Sequence, residues 1–142
     1  MLESPKPETR QEKMEGYLAA VLDEESKALL RAQFPPKHSQ EFYHHMTIAF
    51  RPSKEQYEKY AGNLDGELEL NIVGYAEDDR GQAVIVETPL SENSDPHITL
   101  SCAKGTSPVY SNELIKNAKA AGTVKPVNLK IRAKVKFASF KK

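Results

Sequence analysis

His45-Met46-Thr47-Ile48 and His97-Ile98-Thr99-Leu100 are two copies of one four-residue phrase, and each lies in a run that alternates apolar with polar side chains. Alternation of this kind marks a half-buried strand, in which successive side chains point to opposite faces. His45 and Thr47 therefore emerge side by side with Met46 facing the other way, and His97 and Thr99 do the same about Ile98. An imidazole exchanges protons near neutral pH, and a threonine hydroxyl donates a hydrogen bond to an anionic oxygen. One such pair is ordinarily structural, because threonine favours strands and a histidine on a sheet face readily finds a partner. Two pairs facing each other across a groove supply an acid, a base and two anchors for a single phosphate.

Around the first phrase the alternation runs from Phe42 to Phe50. It predicts Phe42, His44, Met46, Ile48 and Phe50 on the core face, and Tyr43, His45, Thr47 and Ala49 on the other. His44 is thus expected in the core and His45 in the chemistry. After the second phrase, Ser101 continues the face of His97 and Thr99, while Cys102 falls with Ile98 and Leu100 on the buried side.

Further out, Tyr17 to Leu22 is an apolar run of strand length. Asp23 offers an N-cap to a helix carrying Ala28, Leu29, Leu30 and Phe34, which Pro35-Pro36 ends. Ser53 and Gln56 fit a capping box for a short helix to about Tyr60. Leu68 to Ala76 and Ala83 to Glu87 read as strands joined by the turn-forming Asp78-Asp79-Arg80-Gly81. A polar loop from Pro89 to Pro96 leads into the second phrase; Ser111 is expected to cap a helix through Ala121, and Val127 to Phe140 forms a last strand. The order β-α-β-α-β-β-β-α-β predicts an α+β domain, with two antiparallel-type sheets walling a central cleft and helices packed outside. Residues 1–13 read as a flexible lead-in and 14–142 as a single domain.

Composition narrows the function classes. A chain of 142 residues buries a core without disulfides, and its one cysteine, Cys102, permits neither an intramolecular disulfide nor a thiolate zinc cluster. A reducing interior suits it. Twenty basic against twenty acidic residues give no net charge, which argues against coating long nucleic acid by bulk electrostatics. Nothing near the N-terminus looks like a signal peptide, and no apolar run approaches membrane-span length, so a soluble, cytoplasmic monomer with no membrane partner is expected. Basic residues accumulate towards the C-terminus at Lys125, Lys130, Arg132, Lys134, Lys136, Lys141 and Lys142. On a strand, Lys130, Arg132, Lys134 and Lys136 share one face, read first as a solvated outer surface and second as a rail for RNA.

The paired phrases, about fifty residues apart, resemble the signature of the two-histidine (2H) phosphoesterase superfamily. That superfamily includes 2′-5′ RNA ligase-like proteins, 2′,3′-cyclic nucleotide phosphodiesterases, the cyclic phosphodiesterase domain of fungal and plant tRNA ligases, and phage enzymes that cut cyclic oligonucleotide signals. His97-Ile98-Thr99-Leu100 followed by Gly105, Pro108-Val109 and Ser111-Asn112-Glu113-Leu114 is, more narrowly, similar to the tRNA ligase domain. The resemblance implies a bilobal 2H-like fold, catalysis by His45 and His97, and phosphate binding by Thr47 and Thr99. It implies hydrolysis of 2′,3′-cyclic phosphate ends of RNA or nucleotides, with no cofactor and no metal, because two imidazoles perform both proton transfers.

Further candidates for substrate contact are Tyr43, which would share the face of His45 and stack on a base; Arg51, just after the first phrase; and Ser101, Lys104, Tyr110, Ser111 and Asn112, after the second. Three alternatives stay open. The same chemistry would cleave 3′-5′ or 2′-5′ bonds of a cyclic oligonucleotide signal. A non-catalytic binder of RNA ends would keep the groove without the turnover. A histidine metal site would draw on His38, His44, His45 and His97, whose spacing matches no zinc arrangement.

Overall fold

A computed structural model describes residues 13–140; the expected flexible lead-in lies almost wholly outside them, as do Lys141 and Lys142. The elements are β1 (Gly16–Leu22), α1 (Glu24–Gln33), β2 (Gln40–Glu41), β3 (His45–Phe50), α2 (Lys54–Ala61), β4 (Glu67–Glu77), β5 (Gly81–Glu87), β6 (His97–Cys102), α3 (Tyr110–Ala121) and β7 (Lys125–Ser139). This is the order read from the sequence, with the two-residue β2 added.

The strands form one sheet in the order β2-β6-β3-β1-β7-β4-β5, and β5 pairs back onto β6. The sheet thereby closes on itself, and every pairing between its strands is antiparallel. Instead of two sheets walling a cleft, the chain folds as a mixed α+β domain around a single barrel. Closure removes the exposed edges that two open sheets would leave.

Alternation along each strand sends one set of side chains inside. Leu18, Ala20, Met46, Ile48, Leu70, Ile72, Val84, Ile98, Leu100, Ile131 and Val135 are all essentially inaccessible and form one apolar cluster. Leu30 of α1 and Tyr60 of α2 join that interior cluster. A second, smaller cluster lies outside the barrel, where Leu114, Ile115 and Ala118 of α3 cover Ala76, Ala83 and Ile85 of β4 and β5. The outer face of the sheet is thus roofed by α3 on one side and left open over β6, β3, β1 and β7.

Helix starts follow local chemistry. Asp23 accepts from the Ser26 amide at 2.8 Å, and Ser53 and Gln56 form the reciprocal capping box. The third helix departs from expectation: it begins at Tyr110 with Val109 in the cap position and no side-chain cap. Its entry is a tight turn through Ser107-Pro108, whose carbonyls accept from the Tyr110 and Ser111 amides, so Ser111 is free for another partner.

β3 and β6 meet at a single registered pair, Met46 opposite Ile98, both fully buried. Truncating Ile98 to Ala should lower unfolding free energy by about 2–5 kcal/mol in urea titrations, the usual cost of a large-to-small core change. Val109→Ala, at a side chain 71 % exposed, should change it by no more than about 0.5 kcal/mol.

Candidate active site

The register at the β3–β6 seam explains how the site is assembled. Before it, Gln40 pairs with Cys102 and Glu41 with Ser101; after it, Met46 pairs with Ile98. Five steps of chain from Glu41 to Met46 therefore face three from Ser101 to Ile98. The excess is absorbed at Tyr43, whose φ of 47° is left-handed backbone that a bulky residue enters only under constraint. Tyr43 is turned inward, 4 % exposed, and its hydroxyl donates to the Phe34 carbonyl at 2.5 Å.

This bulge overturns part of the alternation read from the sequence. His44, expected in the core, is exposed, and Phe50, expected there too, is 65 % exposed. Tyr43, expected beside His45, is instead packed in the core away from any base. For Tyr43 and His44 the physical reason is the inserted turn, which shifts the inside-outside phase between Glu41 and His45; for Phe50 it is a second bulge, where Leu18 and Ala19 pair with Ala49 and Thr47 and Ile48 is the extra residue.

From His45 to Ile48 the phase is regular. Continuing the Met46–Ile98 register sets Thr47 across from His97 and His45 beside Thr99, with neighbouring side chains roughly 5–8 Å apart. All four line one cavity of about 450 Å³, together with Phe42, His44, Phe50, Asn93, Pro108, Val109 and Asn112.

Each imidazole has a defined partner on its Nδ1 side. His97 Nδ1 lies 2.8 Å from the Asp95 carbonyl, which only accepts, so this nitrogen carries the proton and Nε2 is left for the cavity. His45 Nδ1 lies 2.9 Å from Nδ1 of His44; one of the two donates, and Nε2 of His45 is again the nitrogen left over. The Tyr17 ring packs against His45 with centroids 5.2 Å apart. Burial, helped by the neighbouring charges of His44 and His97, pushes His45 down to about 4. Burial also lowers His97, against the opposing pull of the Asp95 carbonyl, and lowers His44, with Lys27 assisting.

The hydroxyls are held unequally. Thr99 Oγ1 is 2.8 Å from Ser111 Oγ on the first turn of α3, which ties that helix to the floor of the cleft. The Thr47 hydroxyl has no partner among the described residues, although its carbonyl accepts from Ser91. Across the mouth, Asn93 donates to the Asn112 side chain at 2.9 Å.

The other candidates scatter. Asn112 lines the cavity, and Ser111 touches it through Thr99. Ser101 is fully buried and donates to Gln82, whose amide also donates to Tyr75 and to the Pro35 carbonyl. Tyr110 is bonded to Asp78 and covered by the Arg80 guanidinium, which pins α3 to the β4–β5 turn. Arg51 pairs with Glu15 at 3.0 Å, and exposed Lys104 lies outside the cavity lining. Cys102 is buried, as its phase implies, and burial raises its thiol.

Sequence reasoning missed Asn93, Phe42, Phe50 and Val109 as lining residues and placed His44 on the wrong face. Only the polar composition of the loop from Pro89 to Pro96 hinted at Asn93. Among the described residues, no three His, Cys, Asp or Glu side chains are placed to hold a metal ion. No protein-family model matches the chain, and no curated protein matches it either.

Because His45 titrates lower in the folded chain than in the unfolded one, the unfolded state binds more protons between pH 6.5 and about 4. Its contribution to stability is complete above pH 6.5 and lost as pH falls through about 4. Urea midpoints measured across this window should fall less steeply for His45→Asn than for the unaltered chain.

Proposed function

We propose that this chain is a phosphodiesterase that opens 2′,3′-cyclic phosphates at RNA ends or on nucleotides, working as a 2H phosphoesterase without a metal. The observation that carries this reading is the convergence of both His-x-Thr phrases on one cavity. On the same reading, the barrel with its cleft over the β3–β6 seam is a compact version of the two-lobed 2H arrangement, nearest the tRNA ligase phosphodiesterase domain.

The chemistry follows from the two ring environments. His45, neutral across the physiological range and in the tautomer whose Nδ1–H is donated to Nδ1 of His44, takes a proton from the attacking water through Nε2. The water oxygen bonds to phosphorus as the bond from phosphorus to one ribose oxygen breaks. His97 donates the proton that the departing oxygen needs, its imidazolium stabilised by the Asp95 carbonyl behind Nδ1. A bound phosphate anion favours that protonated ring. Thr47 and Thr99 donate to the non-bridging oxygens, Thr47 with its hydroxyl uncommitted and Thr99 by turning its proton from the Pro108 carbonyl, 3.4 Å away, while Ser111 holds its position. Ring strain in the cyclic phosphate lowers the remaining barrier, so positioning supplies much of the rate.

Replacing His45 or His97 by Ala should each reduce kcat at least about a hundredfold on a 2′,3′-cyclic mononucleotide, in the presence of EDTA. Full activity in both variants would contradict the assignment; tight binding of cyclic-phosphate RNA without turnover in the unaltered chain would favour a non-catalytic binder. With the base at about 4 and the acid below its ordinary 6.5, kcat/KM should follow a bell whose maximum falls below pH 6.5. A maximum in the alkaline range would contradict the lowered titration of the two rings.

A further inference from the structure

We propose that the open face of β1 and β7 beside the cleft binds a second phosphate of the substrate, so that the chain acts on oligonucleotides in preference to mononucleotides. This rests on the reading of the cleft as a phosphodiesterase site and extends it along the sheet.

The registers place the two regions on one face. Thr47 pairs with Ala19, and Ala19 pairs with Lys136; His45 pairs with Val21, and Val21 pairs with Lys134. Two rows thus cross the sheet, each running from a cleft residue over a small or apolar side chain to a lysine. Two strand spacings separate the ends of each row, about 9–10 Å. Between them β1 presents only Tyr17, Ala19 and Val21, so no carboxylate intervenes on the cleft side.

The counter-charges stand elsewhere. Lys136 is paired with Asp65 at 2.6 Å and Lys134 faces Glu67, both at the β4 side of β7. Lys134, Lys136 and Arg132 border a depression of about 320 Å³ lined also by Val21 and Leu22, into which the carboxylates of Asp23, Glu24 and Glu67 reach, Glu67 from the β4 side. The Asp23 carboxylate is committed to capping α1, and Glu24 is paired with Lys27 at 3.0 Å. Lys134 and Arg132 have no ion-pair partner among the described residues.

Aromatic surface joins the two regions. Tyr17 packs on His45 and, at 6.1 Å, on Phe140, which in turn lies 5.7 Å from Phe50 at the cleft mouth. Phe50 and Phe140 are 65 % and 41 % exposed, so their rings face solvent rather than the core. Stacking rings beside a basic row are the elements from which single-stranded nucleic acid paths are built. With no net charge on the chain, this local row and not bulk attraction has to supply the second contact. The shared ligand chemistry is a second phosphodiester next to the reacting one, present in a linear RNA ending in a cyclic phosphate and in a cyclic oligonucleotide.

The test compares steady-state kinetics on a 2′,3′-cyclic mononucleotide, a short RNA ending in a 2′,3′-cyclic phosphate, and a 3′-5′ cyclic trinucleotide. Lys134→Ala/Lys136→Ala is set against Lys125→Ala, which removes a charge from the far end of the same strand. The unaltered chain should show a KM at least about tenfold lower for one oligonucleotide than for the mononucleotide, weakening steeply with salt. The double variant should abolish that preference and Lys125→Ala should keep it; the oligonucleotide that carries the preference identifies the source. Equal KM values in the unaltered chain, or a preference that survives in the double variant, would overturn the proposal. If no substrate is turned over, the phosphodiesterase reading fails by itself. Fluorescence anisotropy with a labelled RNA bearing a 3′-phosphate then decides the path: weaker binding by the double variant supports it, and equal binding overturns it.

Discussion

The seam between β3 and β6 is the constraint on which the rest of the molecule depends. Five strands in succession, β3, β1, β7, β4 and β5, pair over long registers, and β6 closes the ring by pairing fully with β5 and at one position with β3. A barrel cannot close without β6 lying beside β3, and β6 cannot lie there without bringing the second His-x-Thr phrase next to the first. Met46 and Ile98, inside, hold the seam by burial; the residues on either side of them, outside, form the cleft. Packing and chemistry are thus two faces of the same strands, separated only by the period of two.

The short pairing at the seam is also what leaves room for a ligand. Had β3 continued its register through Glu41, the outer face there would be a flat ladder of side chains. The inserted turn at Tyr43 bends the chain instead, puts His44 behind His45, and leaves Phe42 as a wall of the cavity. A left-handed tyrosine is costly, of the order of 1–3 kcal/mol for such backbone, and its buried ring and hydroxyl bond to Phe34 hold it in place. Strain of this kind beside a cavity is the expected mark of a site whose geometry is set by the surrounding fold.

Much of this was legible in the residues. The two phrases, the caps at Asp23 and Ser53, the turn at Asp78 to Gly81 and the buried phase of Cys102 all follow from local rules, and local rules act whatever the tertiary arrangement. The failures have a common cause. Phe42, Tyr43, His44 and Phe50 depart from a strict period of two because of two bulges, one at Tyr43 and one at Ile48, and neither announces itself in sequence by a glycine or asparagine. Ser111, Tyr110 and Ser101 looked like pocket residues because they follow the second phrase. Their partners, Thr99, Asp78 and Gln82, lie 12, 32 and 19 residues away and meet them only in the tertiary fold. The closure itself was not legible, since alternating strands are equally compatible with two sheets and with one sheet wrapped round.

The central claim is that both imidazoles face a single phosphate. It is tested most directly by following the ring resonances of His45 and His97 by NMR while a nucleoside 2′-monophosphate is titrated in. The account requires both rings to respond along one binding isotherm, with both pKa values rising as the anion is bound. Movement of one ring while the other keeps its free position would contradict it.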